Sequence, residues 1–196
     1  MLNILNKNSF LIAERAGLLK STINYDILDP ETNKVLMESR EETPGRFVRF
    51  LRMTDCRRTT PFDFHIASRS GEKILQIKRD FPIFGSKVMV FDEQDVLIGC
   101  FAQRSLFFRV RFDVLDANGD PLCFLESDLA GSVFRFLAPG DEELARTTRK
   151  WGGLKREIFT SADNYLLKID EAVPENSVSR QLILASVVCM DMVIKS

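Results

Sequence analysis

The sequence predicts a mainly β (α+β) domain, with an antiparallel sheet closed around one hydrophobic helix at the C-terminal end. Two observations predict it. The stretch Val178 to Lys195, VSRQLILASVVCMDMVIK, is apolar from Leu182 to Met190 except for Ser186. Its apolar residues do not alternate, so it is not a half-buried strand. On a helical wheel they cover every face, the pattern of a helix buried on all sides. Most of the remaining chain reads as strand–turn–strand units, which is the second observation. A helix without a polar face needs a container, and a curled sheet is the simplest one. The core positions are Leu182, Ile183, Leu184, Val187, Val188 and Met190.

The competing reading of this stretch is a membrane span, which needs about 20 mostly apolar residues. Arg180 and Gln181 lie on one side of the run and Asp191 on the other. An Asp near the bilayer centre costs roughly 2.5–3.5 kcal/mol on insertion scales. The buried helix is therefore preferred. Asn176 or Ser177, after Pro174, can cap its first amides. A carboxylate near a helix C-terminus opposes the dipole, so Asp191 is expected at the container's mouth, near water or an Arg.

A chain of 196 residues suits one domain, here residues 1–196. Apolar residues make up 45%, enough for a full core. The 16 Phe against one Trp and two Tyr predict an interior of plain rings. A net charge of −1 implies no bulk attraction to nucleic acid or lipid. Cys56, Cys100, Cys123 and Cys189 are scattered, which reads as free thiols in a reducing compartment. The N-terminal MLNILNKNSFLIA lacks a cationic start followed by a long apolar run. No signal peptide is expected, and the default location is cytoplasmic or peripheral at a membrane.

Along the chain, residues 1–24 suit a first hairpin with a turn at Gly17. A repeat follows. Tyr25–Asp29, Phe62–Ile66, Val88–Asp92, Phe112–Asp116 and Val133–Leu137 are strands. Each leads through a turn rich in Asp, Asn, Gly or Pro into a second strand, at Val35, Ile74, Val96, Leu122 and Leu144 respectively. Successive hairpins argue a meandering antiparallel sheet, closed or nearly so, which removes edge strands. Leu106-Phe107-Phe108 is ambiguous between core and exposed loop.

One segment breaks the strand pattern. After Pro44-Gly45, residues 46–53 read as a short amphipathic helix. Phe47, Phe50 and Leu51 share one face, while Arg46, Arg49 and Arg52 share another. Arg57 and Arg58 follow. One reading is a plug, with the Phe face closing the barrel end and the Arg face in water. The other is an anionic contact surface for lipid headgroups or nucleic acid, built on Arg46, Arg49, Arg52, Arg57 and Arg58.

Catalytic signals are absent. The one histidine, His65, lies inside a strand and reads as structural; no His-Cys cluster suggests zinc. Neither a P-loop nor a dinucleotide fingerprint occurs. Glu41-Glu42 and Glu142-Glu143 read as solvated turns. The chain is not expected to be an enzyme.

From Lys150 to Asp170 the chain runs KWGGLKREIFTSADNYLLKID. With the terminal helix ending in V-C-M-D-M-V-I, this resembles the phospholipid scramblase family. The carriers are Trp151, Arg156-Glu157, Phe159-Thr160 and Ala162-Asp163-Asn164-Tyr165. Thr60-Pro61-Phe62, the hairpin at Gly71, Arg79-Asp80-Phe81-Pro82 and the hairpin at Asn118-Gly119 follow the family's order. The resemblance covers the chain from about Tyr25 onward. It implies a Tubby-like fold of about twelve strands around the helix. It also implies phospholipid binding and calcium-stimulated, ATP-independent movement of lipid between leaflets. Where the family has a palmitoylated cysteine cluster, this chain has Phe81-Pro82-Ile83-Phe84-Gly85, so no lipid anchor is expected there.

The calcium loop the resemblance implies falls on Ser161, Asp163, Tyr165, Leu167, Ile169 and Asp170. In residues 161–172 the oxygen-bearing candidates include three carboxylates, Asp163, Asp170 and Glu171, whereas calcium wants six to eight oxygens. An ordinary hairpin is the plainer reading, and calcium binding is expected to be weak or absent. Two function classes remain. One is a scramblase-like or lipid-binding peripheral protein, contacting phospholipid or phosphoinositide headgroups. The other is a soluble Tubby-like module for a phosphoinositide, protein or nucleic acid that moves no lipid.

Overall fold

Each strand of the protein pairs antiparallel with its neighbour in sequence, and the first pairs with the last. In the computed structural model, which describes residues 4–15, 23–52, 60–81, 87–105, 111–128, 130–150 and 164–193, twelve strands and two helices form. They are β1 (Ser9–Arg15), β2 (Asn24–Leu28), β3 (Val35–Glu41), α1 (Arg46–Arg52), β4 (Phe62–Ser68), β5 (Lys73–Arg79) and β6 (Lys87–Phe91). Then come β7 (Leu97–Ser105), β8 (Arg111–Asp116), β9 (Pro121–Ser127), β10 (Val133–Leu137), β11 (Glu143–Lys150), β12 (Asn164–Ile169) and α2 (Val178–Val193). The β1–β12 pairing, running from Ser9 opposite Lys168 to Ala13 opposite Asn164, closes the barrel and leaves no edge strand.

The five predicted hairpins are the pairs β2–β3, β4–β5, β6–β7, β8–β9 and β10–β11. Their repeating signature has a local cause. The Asp that opens a turn accepts backbone amides from residues two to five ahead. Asp29 takes those of Glu31 and Thr32, Asp92 those of Gln94 and Val96, and Asp116 those of Asn118 and Asp120. These bonds, the one from the Asp120 amide first, hold the Asp116 carboxyl below its ordinary range. Gly71 and Gly119 supply the left-handed backbone, at φ 86° and 90°, that these turns require.

Two features differ from expectation. Among the described residues, 1–24 supply one full strand, β1, whose partners are β2 and β12; the turn foreseen at Gly17 lies outside the described residues. The segment 161–172, read as an ordinary hairpin, supplies among the described residues one barrel strand from Asn164, with partners β1 and β11 on its two sides. Its apolar residues alternate inward, but only over Tyr165, Leu167 and Ile169, too few to stand out from the polar motif around them. Leu106-Phe107-Phe108 and the predicted helix ends at 53 and 195 also fall outside the described residues.

α2 fills the barrel. Leu182, Ile183, Leu184, Ala185, Val187, Val188 and Met190 are all at most 2% exposed. Phe10, Ile12, Tyr25, Phe64, Ile66, Ile77, Val90, Phe136 and Leu167 belong to the same buried cluster. Ser186, the one polar residue of the run, donates to the Ile183 carbonyl at 2.8 Å and so costs little inside. Ser177 caps the start, accepting the Arg180 amide at 3.4 Å.

Arg180, only 3% exposed, holds the helix entry. Its guanidinium donates to the carbonyls of Val173, Pro174, Asn6 and Lys7 and to the Asn8 side chain, at 2.8–3.4 Å. The chain before β1 and the turn after β12 are thereby tied to one side chain of the central helix. Cys100 and Cys123 are free; burial pushes the Cys123 thiol up to about 12, so it behaves as a small core residue.

Gly99 on β7 is closely packed against both the neighbouring strand and the helix. A Cβ there would sit 2.3 Å from the Leu115 carbonyl oxygen and 2.7 Å from Leu182 Cδ1. Backbone cannot yield as a flexible side chain would. Gly99→Ala is therefore expected to destabilise by about 3 kcal/mol, the upper end for overpacking. That lowers the melting temperature by roughly 6–12 °C in a domain of this size. Calorimetric scans of both proteins check it, and an unchanged melting temperature would show that the strand and helix around Gly99 yield to a methyl group.

Candidate functional site

The barrel has two unlike ends. At one, the short turns at 29–34, 69–72, 92–96, 117–120 and 138–142 lie beside the entry of α2. The other end carries the longer connections, among them residues 42–61, which contain α1. α2 enters at the first end and points its C-terminus toward the second. A site that varies by loop belongs at the second end.

α1 follows Pro44-Gly45 and is held by its last residue. Arg52 reaches back to Glu41 at the end of β3, Nη1 to Oε2 at 2.7 Å and Nη2 to Oε1 at 2.5 Å. The two side chains are 2% and 1% exposed. Arg52 also donates to the Thr60 hydroxyl at 3.3 Å and the Pro61 carbonyl at 2.8 Å. Glu41 Oε2 accepts a further bond from the Ile23 amide at 3.1 Å. A bidentate, fully hydrogen-bonded pair of this kind is the form in which buried charge is tolerated. Arg79, 2% exposed, lies nearby, with its guanidinium 4.6 Å over the Phe62 ring and Nη2 donating to the Thr60 carbonyl at 2.6 Å.

This arrangement corrects the plug reading of α1 and removes Arg52 from the contact-surface reading. The plug is inverted: Phe47 and Phe50 are 66% and 63% exposed, while Arg52 is buried. A helical face rich in Phe normally turns inward, but here one buried ion pair outweighs it and rotates the helix the other way. Arg52 is therefore not part of a contact surface. Arg46 is exposed next to Phe47, and Arg49 is half-buried. Arg57 and Arg58 lie outside the described residues. Val48, Pro44 and Gly45 line a cleft of about 190 Å³ with Pro61, Phe62 and Arg79. Phe81, just past β5 at this end, is 46% exposed.

The other predicted residues are placed differently. Tyr165, Leu167 and Ile169 are buried in β12, their backbone within the ladders to β1 and β11. Asp170 lies beyond the strand at the short-turn end, and its carboxylate accepts the Ala172 amide at 2.9 Å. Ser161 and Asp163 lie outside the described residues. Among the described residues of the segment, the six residues of β12 separate Asp170 from the start of the strand at Asn164. The six core positions of α2, Leu182 to Met190, are all inside the barrel.

Two measurements follow. Arg52→Gln is expected to lose about 3–5 kcal/mol, the usual consequence of leaving one buried charge unpaired, whereas Arg46→Gln stays within about 0.5 kcal/mol. Urea melts of the two variants distinguish them, and equal melts would place Arg52 on the surface. Calcium titrated calorimetrically into the wild type should show no affinity tighter than about millimolar, the weak end for oxygen-ligand loops. A micromolar heat signal would restore the loop.

A search of functionally curated proteins finds none that matches this sequence. An X-ray structure of a protein from Arabidopsis thaliana superposes with a TM-score of 0.53 at 15% identity, covering 92% of this chain and 91% of that one. At that identity the likeness speaks for the fold, a Tubby-like barrel around a terminal helix. The sequence profile of the family described as Scramblase matches residues 20–194. That match takes in every strand from β2 to β12 and all of α2, and by it the chain belongs to the scramblase family.

Proposed function

We propose that this protein binds the surface of anionic phospholipid membranes through the α1 end of its barrel. The observation that carries the reading is the exposure of Phe47 and Phe50 on a helix locked from behind by Arg52 and Glu41. Two neighbouring phenylalanines left in water, with Arg46 beside them, match the interfacial pattern of apolar insertion flanked by positive charge. Family membership supports a lipid ligand.

The energetics suit reversible docking. Burying the exposed parts of two phenylalanines, with about 1 kcal/mol for each basic residue at an anionic surface, gives roughly 4–5 kcal/mol. That is comparable to a single acyl chain, which binds marginally and reversibly. Among the described residues no helix is long and apolar enough to cross a membrane. α2 cannot serve both as the barrel's core and as a span without unfolding the domain. If lipid is moved between leaflets, the module does it from the surface, and no covalent chemistry is required of it.

Flotation with liposomes tests the reading. Wild type should float with phosphatidylcholine–phosphatidylserine vesicles and much less with phosphatidylcholine alone. Added salt should weaken the anionic preference, since exposed charges are screened over about 10 Å at 0.1 M. Phe47→Ala/Phe50→Ala should lose about tenfold or more in binding, matching at least 1.4 kcal/mol, with its melting temperature unchanged. Arg46→Gln should reduce only the salt-sensitive part. A wild type that floats with neither vesicle would favour a soluble module whose aromatic pair meets a protein.

A further inference from the structure

We infer that Glu42, Asp63 and His65 form a binding site for a divalent transition cation of the zinc type. Asp63 and His65 stand two apart on β4, so both project from the outer face while Phe62, Phe64 and Ile66 fill the core. Glu42, the residue after β3, is held beside them by its own amide, which donates to the Asp63 carbonyl at 2.9 Å. One ligand atom from each of the three side chains lies within 4.8 Å of the others.

The geometry around His65 Nε2 is that of a ligand. Glu42 Oε1 and Asp63 Oδ1 each lie 3.3 Å from it. Yet Nε2, itself shielded from solvent, makes no hydrogen bond. The two oxygens flank the nitrogen without lining up on it. Ligand atoms about 2.0–2.1 Å from a tetrahedral Zn²⁺ lie about 3.3–3.4 Å apart, so both separations are compatible with an edge of that tetrahedron. Six-coordinate packing at a similar bond length would bring neighbouring ligands to about 3.0 Å. Glu42, whose side chain is 66% exposed, is free to close the remaining edge, and the fourth position faces solvent.

The surroundings support a cation. Gln76 on β5, the register partner of His65, donates from Nε2 to both Asp63 oxygens at 2.8 and 3.0 Å. That is how an outer amide orients a carboxylate ligand. The neighbouring cations are engaged elsewhere, Arg40 with Asp26 and Glu38, and Lys78 with Asp80. Two carboxylates and one imidazole suit zinc and its neighbours better than calcium or magnesium, which prefer oxygen alone. The site joins the chain entering α1 to the wall of the barrel, with Glu42 four residues before the first residue of α1, Arg46. It does not depend on the lipid reading.

The test is calorimetric titration of ZnCl₂ into the full chain after treatment with chelator. One zinc per chain at micromolar affinity is expected, undisturbed by millimolar calcium or magnesium. Glu42→Gln and His65→Ala should each weaken binding about tenfold or more, and Gln76→Ala about tenfold, the usual loss for an outer-shell partner. Glu42→Gln alters an exposed side chain, so its melting temperature without metal should equal the wild type's and exclude misfolding as the cause. Cobalt in place of zinc should give a spectrum without a thiolate charge-transfer band. Absence of saturable zinc binding would overturn the assignment. So would wild-type affinity retained in the Glu42 and His65 variants, a thiolate band pointing to cysteine ligands, or displacement of zinc by equimolar calcium.

Discussion

Removal of α2 from water is the constraint on which the rest of the structure depends. A helix apolar on all faces has no stable position on the outside of a soluble sheet. Enclosure stabilises it by roughly 1.5–3 kcal/mol for each large side chain buried. Enclosure in turn demands a sheet that closes, and closing twelve strands demands that each connection be short or be kept to an end. The Asx-anchored turns satisfy that at one end, where backbone amides are taken up within the turn itself. Arg180 then ties the N-terminal residues to the helix entry, so the two termini of the barrel meet at one guanidinium. Gly99 shows how closely the wall follows the helix, since even one methyl group is excluded there.

The same constraint divides the labour between the two ends. The end where α2 enters is occupied by turns and by the Arg180 cluster, and has little surface to spare. The opposite end holds the connection of 42–61, which has room for an extra helix. α1 is too short to be stable alone, because a single helical turn or two is below the length at which nucleation is repaid. It persists because Arg52 meets Glu41 in a dry bidentate pair. That pair also sets which side faces out. The exposed aromatic pair is the consequence of that one interaction.

Much of the fold was legible in the sequence, for reasons that differ between elements. α2 could be read because its apolar residues outnumber any one helical face. The five hairpins could be read because Asp, Asn and Gly recur where a turn needs a side-chain acceptor or a positive φ. β12 was only half legible: its Tyr165, Leu167 and Ile169 alternate over only six residues beside a polar motif, so the segment read as an ordinary hairpin rather than as the strand that closes the barrel. The candidate surface was less legible. Helical periodicity put Phe47 and Phe50 on one face and Arg52 on another, but periodicity carries no information on which face is turned inward. That depended on Glu41, which lies eleven residues earlier and reads in sequence as half of a solvated acidic pair. Long-range pairing of a single Arg with a single Glu leaves no local pattern. Arg180 was hidden for the same reason, since its partners at Asn6, Lys7 and Asn8 are at the far end of the chain.

Glu41 and Glu42 show how little separates a structural carboxylate from one available for chemistry. They are adjacent in sequence, and the alternation of a strand sends successive side chains to opposite faces. Glu41 points into the dry end of the barrel, where it meets Arg52 and the Ile23 amide. Glu42 points outward, where its exposed carboxylate lies beside His65 and Asp63. Both sit at the root of the segment that carries α1. One fixes α1 from inside through a permanent charge pair, and the other stands where an ion could add a second tie from outside. A change at Glu41 would therefore act through folding, whereas a change at Glu42 would leave the barrel intact and alter only what the outer face can hold.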